Sequence, residues 1–224
     1  MTVVEDQKNS ARIFVAESIG VATLVCTVVG SGIMGANLTR DIALALLINS
    51  LATIFVLSIL ITLIGPISGA HLNPVVSLVE RLRGQINNGE LLTFVTAQIL
   101  GGIAGTFAAN LMFNLEVIQI SSLNRVSTGS LIGEVIATAG LVSIIGILAN
   151  TNRTNLISIM VPLWIGAAYF FTSSTSFANP AVTIARTFTN TFSGIAPSSI
   201  GPFILAQIVG GLIGLQICKS TQQK

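Results

Sequence analysis

Charge is what this chain has least of. Only 8% of its 224 residues are Asp, Glu, Lys or Arg, whereas 52% are hydrophobic and the mean hydropathy is +0.87. A soluble domain carries roughly 25% charged residues, so this chain has too little polar surface to cover a water-soluble globule and reads as a membrane protein. A net charge of +2, with no basic block beyond Arg81-Leu82-Arg83, and a single Trp and a single Tyr exclude a nucleic-acid surface, which needs a charged track and stacking rings. The one histidine, His71, and two cysteines, Cys26 and Cys218, offer no metal-ligand spacing. The cysteines sit inside apolar spans near opposite chain ends and read as small buried hydrophobes. With no nucleophile–base pair and no phosphate-binding glycine loop, neither enzyme chemistry, a cofactor nor a metal is expected. A cleavable leader is not expected either. The polar stretch 1–11 is followed by an apolar run that is too long and lacks a small-residue cleavage pattern, so that run is expected to stay as the first span.

What is present is a set of long apolar runs. Spans of about 20 apolar residues cross a bilayer core, and six fit, at roughly 13–35, 42–64, 90–113, 130–149, 155–173 and 200–218. Two half-length segments, about 74–83 and 180–190, are too short to cross. The chain repeats itself: Ala97-Gln98-Ile99-Leu100-Gly101-Gly102 recurs as Ala206-Gln207-Ile208-Val209-Gly210-Gly211, and Glu17 in the first span matches Glu134 in the fourth. Each repeat, about 12–114 and 129–218, holds three spans and one half-segment. Because three is odd, the second repeat enters the membrane upside down. The reading is one all-α membrane domain over 1–224, with six transmembrane helices plus two re-entrant half-helices in an inverted repeat. Gly101/Gly105 and Gly210/Gly214 are small-xxx-small pairs that allow helices to approach closely. With a cytoplasmic N-terminus, Lys8, Arg12, Arg81, Arg83, Arg153, Lys219 and Lys224 face inward and Arg40, Arg125 and Arg186 outward. Seven against three obeys the positive-inside rule and places both termini inside.

Each half-segment opens on an Asn-Pro pair, Asn73-Pro74-Val75 and Asn179-Pro180-Ala181, after a loop of small residues. Asn is a good helix cap and Pro suits the first helical position, where its missing N–H costs nothing. Interrupted apolar segments at matching places in two halves point to a permeation site. Irregular backbone at membrane depth must be buried in protein or line a wet cavity. The carbonyls of Gly69, Ala70, His71 and Leu72, and of Ser174, Thr175 and Ser176, are therefore expected to line a pore, with the Asn73 and Asn179 amides as donors where the half-helices meet. Helix N-termini carry roughly half a positive charge each, which opposes cations at that point.

Ser68-Gly69-Ala70-His71-Leu72-Asn73-Pro74-Val75 and Phe177-Ala178-Asn179-Pro180-Ala181 resemble the paired Asn-Pro-Ala boxes of the aquaporin, or major intrinsic protein, family. The resemblance runs from Glu17 to Gly214. It implies a pore in every subunit and a homotetramer in membrane lipid, with Glu17 and Glu134 bracing the backbone N–H groups of the two loops; His71 is expected to brace its loop as well. Two departures stand out. Val75 ends the first box in place of Ala and is expected to pack against the opposite half-helix. Val182 follows the second box where most members place the filter Arg. Carried over by distance from the boxes, the remaining filter positions fall on Thr53, Ala167 and Ser176. All four are small or medium and uncharged, which implies a wider, less cationic constriction. Arg186, four residues after Val182 on the same helical face, either leans back toward this filter or meets carbonyls and headgroups in the outer vestibule. Val182 makes the chain similar to a bacterial branch associated with uncharged metalloid acids, while Thr183 replaces the Asp usual in glycerol facilitators.

The expected function is a passive channel in the cytoplasmic membrane of a bacterium for water and small neutral solutes, with glycerol, urea and arsenous acid as candidates. The alternatives are a water-selective channel, a proton-coupled secondary transporter using Glu17 and Glu134, and a junctional protein whose pore is incidental.

Overall fold

A computed structural model describes residues 3–221, with side chains from residue 10 onward. Lys224 lies outside the described residues, as does the side chain of Lys8. In chain order the helices are α1 (Val3–Leu38), α2 (Ile42–Ser68), α3 (Pro74–Leu82), α4 (Asn88–Met112), α5 (Thr128–Asn150), α6 (Ile157–Phe171), α7 (Pro180–Ala185) and α8 (Pro197–Ser220). Short 3-10 turns precede α6 at Thr154–Leu156 and follow α7 at Arg186–Phe188. Six helices are long and apolar enough to cross a membrane, and α3 and α7 are the half-length pair. The second half-segment is shorter than the expected 180–190. Only six residues are α-helical before the tighter turn, and past Phe188 the chain folds back so that the Ile195 N–H reaches the Arg186 carbonyl.

Local chemistry sets the helix ends. Asp41 Oδ1 caps α2 by accepting the N–H of Ala43 at 2.8 Å, and Asn87 with Glu90 forms a reciprocal capping box on α4. Gly69 ends α2 in the left-handed region at φ 89°, where an L side chain is strained. Asn73 Oδ1 accepts the Val75 N–H at 2.9 Å and Asn179 Oδ1 the Ala181 N–H at 3.0 Å, with Pro at the first helical position in both.

The two halves pack alike. α1 lies along α4 and α5 along α8, in contacts that glycine permits. A Cβ on Gly101 would strike the Ser18 carbonyl, and one on Gly210 the Val135 carbonyl. Large apolar side chains such as Leu38, Ile42, Phe55, Leu63 and Leu92 are exposed around the outside. In a spanning bundle these face lipid, and the polar groups, among them Glu17, Asn49, Gln98, Glu134 and Gln207, are gathered in the interior.

Candidate pore between two half-helices

The loops leading into α3 and α7 adopt one backbone pattern. Gly69, Ala70 and Leu72 have φ of 89°, 48° and 51°, and Thr175, Ser176 and Ala178, at the matching places, have 61°, 51° and 47°. A non-glycine residue held there costs on the order of 1–3 kcal/mol. In such an alternating backbone, consecutive N–H groups converge on one side as an anion-binding concavity, and in both loops a buried carboxylate fills it. Glu17 accepts the N–H of His71 at 3.0 Å and of Leu72 at 2.7 Å, together with the Ser68 hydroxyl at 2.6 Å and the Gln98 amide at 2.8 Å. Glu134 accepts the N–H of Phe177 at 2.9 Å and of Ala178 at 2.8 Å, and the Gln207 amide at 2.7 Å. The repeated Ala-Gln motif thus has a physical reason. Each Gln amide bridges its carboxylate to a hydroxyl one turn into the half-helix, Ser77 at 3.1 Å and Thr183 at 2.9 Å.

The two boxes clasp each other. The Asn73 amide donates to the Ala178 carbonyl at 2.7 Å, and the Asn179 amide to the Leu72 carbonyl at 2.8 Å. With Oδ1 engaged in capping and one N–H in the clasp, each amide keeps one N–H for a passing solute. Both asparagines border a central cavity with about 70 Å³ of free space. At the roughly 10–15 Å³ a water requires, that is a short file and not a wide vestibule. Its wall is mostly aliphatic, from Leu24, Val28, Leu57, Val76, Leu141, Ile145, Val161 and Ile165.

Ala70, His71, Leu72 and Ser176 border the cavity, and Gly69 borders a vestibule at the C-terminal end of α3, beside Glu80 and Arg83. Ser174 and Thr175 do not border the cavity. The double turn through left-handed residues leaves Ser174 against Gly133 of α5, its hydroxyl 3.3 Å from that of Thr172 at the end of α6, so Ser176, Phe177 and Ala178 are the residues presented instead. Val75 does not pack on the opposite half-helix. It lies in a buried cluster with Val79, Val142 and Leu215, against α5 and α8.

Of the four filter positions, Thr53, Ser176 and Val182 border the cavity and Ala167 does not. Ala167 faces an outer groove with Met160, Leu163 and Trp164. The cavity-facing stripe of α6 is Ile157, Val161, Ile165 and Tyr169, at a spacing of four. Residues two apart on a helix point about 200° away from each other, so a count back from the box that is off by two residues selects the wrong face. Tyr169 is the residue that the count missed, and the four-residue stripe was the signal for it. Its hydroxyl lies 3.2 Å from that of Thr53, which donates to the Asn49 carbonyl at 2.8 Å. The Ser176 hydroxyl has no partner among the described residues.

Arg186 also borders the cavity and is only 3% exposed, so it does not sit among headgroups. Its Nε donates to the Ser193 carbonyl, and its Cζ lies 3.6 Å from the centroid of the Phe177 ring. Arg125, on the loop between α4 and α5, approaches the same ring at 5.4 Å and donates to the carbonyls of Gly194 at 2.6 Å and Phe192 at 2.8 Å. Burial pulls its guanidinium down to about 10, which leaves it charged at neutral pH. Of the two places open to Arg186, the one beside the filter is therefore observed, and the small, wide constriction expected from the four uncharged positions is corrected: the Tyr169 hydroxyl and the buried Arg186 guanidinium border the same cavity as Val182. Among the described residues no cluster of His, Cys, Asp and Glu could hold a metal ion.

Comparison with known proteins agrees with this geometry. The description of the Major intrinsic protein family matches residues 5–178. The chain is 46% identical over 205 residues to "Aquaglyceroporin AqpS" of Rhizobium meliloti (strain 1021), covering 92% of this chain and 88% of that one. It is 29% identical over 219 residues to "Aquaporin TIP2-1" of Arabidopsis thaliana, with 92% and 86% covered. In fold it resembles the aquaglyceroporin from Plasmodium falciparum, with a TM-score of 0.73 at 22% identity and 96% of both chains covered. By the family match and the extent of the 46% identity, the chain belongs to the major intrinsic protein family of multi-pass membrane channels, the aquaporins.

Proposed function

We propose that the chain is a passive channel for water and small uncharged solutes, glycerol first and urea and arsenous acid as further candidates. The observation that carries this reading is the clasp of Asn73 and Asn179 across a narrow, mostly aliphatic cavity. Such a wall makes no hydrogen bonds, while the free amide N–H groups and loop carbonyls form one polar strip that replaces part of a small solute's hydration. A neutral polyhydroxy molecule can lay its hydroxyls on the strip and its carbons on the wall. An ion would lose most of its hydration in a low-dielectric passage and recover little. The filter of this reading is Thr53, Tyr169, Ser176 and Val182.

Glu17 and Glu134 serve as braces in this account. Four and three donors respectively converge on them, and neither borders the cavity where a proton or ion would pass. That speaks against a proton-coupled transporter and against enzyme chemistry. The whole chain is read as one channel domain, a homotetramer in the cytoplasmic membrane with both termini inside, on the basis of the basic-residue bias and the family.

Proteoliposome shrinkage and swelling under gradients of impermeant osmolyte, glycerol and arsenous acid test the reading. Linear, pH-independent flux of water and glycerol is expected. Saturable uptake responding to a pH gradient would replace the channel with a transporter. Tyr169 and Arg186 favour a second reading, a water-selective channel, because they occupy space that the expected small residues would have left open. Water flux without glycerol flux decides for it.

A further inference from the structure

We propose that Arg186 supplies the cation barrier of this pore from one helical turn beyond Val182, seated on the ring of Phe177, and that the inner mouth has no counterpart. The inference rests on the channel reading and names the residues that set its charge selectivity. Val182 and its repeat mate Val76 both border the cavity, so the position next to each box carries no charge. One turn further along each half-helix the repeats diverge, to Glu80 on α3 and Arg186 after α7.

Glu80 is neutralised: its carboxylate meets Arg83 at 2.9 Å, which is the only ion pair among the described residues. Arg186 has no carboxylate partner there. Its Nε is held by the Ser193 carbonyl and its plane lies on Phe177. The Nη groups make no hydrogen bond with the described residues, yet they are not among the sealed, unpartnered atoms. Since Arg186 borders the cavity, the geometry directs those donors toward it. Arg125 adds a second guanidinium at 5.4 Å from the same ring. Two guanidinium groups with no ion-pair contact among the described residues, at one end of a narrow passage with a mostly apolar wall, act through a low effective dielectric and repel a hydrated cation or hydronium more strongly than the same charges would in water. Phe177 is a positioning residue here. Without the ring, Arg186 keeps its charge but loses the surface that fixes its plane.

The test uses the full-length protein in proteoliposomes whose water flux shows that each variant is inserted. Proton leak is read with an entrapped pH dye and potassium leak by flux. Arg186→Gln is expected to raise both leaks about tenfold or more, and Arg125→Gln by roughly two- to fourfold, because its charge lies further from the cavity. Val182→Arg added to Arg186→Gln is expected to return the leak to the wild-type level. Unchanged leak in Arg186→Gln overturns the proposal, as does a double variant that stays leaky. If Arg186→Gln fails to insert, Val182→Arg alone decides. With a barrier already present, it should cut glycerol flux about tenfold without lowering the leak; a roughly tenfold lower leak would mean that the native pore lacked a barrier. Absence of water and glycerol flux in the wild type sinks the channel reading itself and is a distinct outcome.

Discussion

The first re-entrant segment, 68–82, and the second, 174–188, can be laid on each other residue by residue. Both run through the same left-handed backbone positions, both seat a buried glutamate on two N–H groups, and both begin their helix at Asn-Pro. They part at the side chains that meet the lumen. His71 stacks on Phe94, with centroids 4.1 Å apart and planes at 11°, and its Nδ1 lies 3.0 Å from the Ser77 hydroxyl. Phe177, its mate, meets Phe203 edge-on at 5.3 Å and 75° and carries Arg186 on its face. The halves agree where the backbone must be held and diverge where a solute is met. Holding a strained loop has one solution in both orientations, whereas the two mouths face different solutions and different charge requirements.

The largest effect should come from removing the shared brace. Glu17→Ala or Glu134→Ala strips partners from two buried backbone N–H groups and a Gln amide. At about 1–3 kcal/mol for each of these three unsatisfied groups, either is expected to cost roughly 3–9 kcal/mol, read as loss of thermal stability in detergent. Losses of similar size in the two variants would show that both loops lean equally on their glutamates, and a loss confined to one half would show that only one loop does. The clasp comes next. Asn73→Ala and Asn179→Ala each remove a helix cap, worth about 0.5–2 kcal/mol, and a cross-loop bond, and both should lower glycerol flux in swelling assays. Flux that survives in either variant would mean that its loop is held without the clasp.

A smaller and asymmetric effect is expected from the aromatic supports. Phe94→Leu and Phe203→Leu each lose a ring contact worth about 0.5–1.5 kcal/mol. Only Phe203→Leu should change the glycerol-to-water flux ratio, because only Phe177 carries a guanidinium. The smallest change should follow Arg83→Ala at the mouth beyond α3, where a partly exposed i,i+3 pair contributes less than about 1 kcal/mol. A marked shift in flux from that variant would show that the inner charges matter after all.

Much of the molecule is legible in its sequence because the controlling physics is local. Span length, the Asn-Pro caps, the glycine pairs and the repeated Ala-Gln and Glu positions each follow from one segment meeting lipid or its own backbone. The pairing of Glu17 with Gln98 and of Glu134 with Gln207 is foreshadowed by their repetition. Legibility stops at orientation. Ala167 and Tyr169 are two residues apart on one helix, and which of them meets the lumen depends on how many residues the following loop takes to reach Asn179. Ser174 and Ser176 likewise exchange roles according to where the loop turns left-handed. Val75 differs for another reason, since its neighbours come from α5 and α8 and no nearby residue announces them.

Composition, length and spacing are enough to establish that this chain spans a membrane six times, that its halves are inverted copies, and that two capped half-helices meet in the middle. What faces the passage depends instead on how the helices and loops pack. Val182 alone implies an uncharged constriction. The guanidinium that borders it leaves the helix one turn later, and it is held there by a ring and a carbonyl that the fold, not the spacing, brings to it.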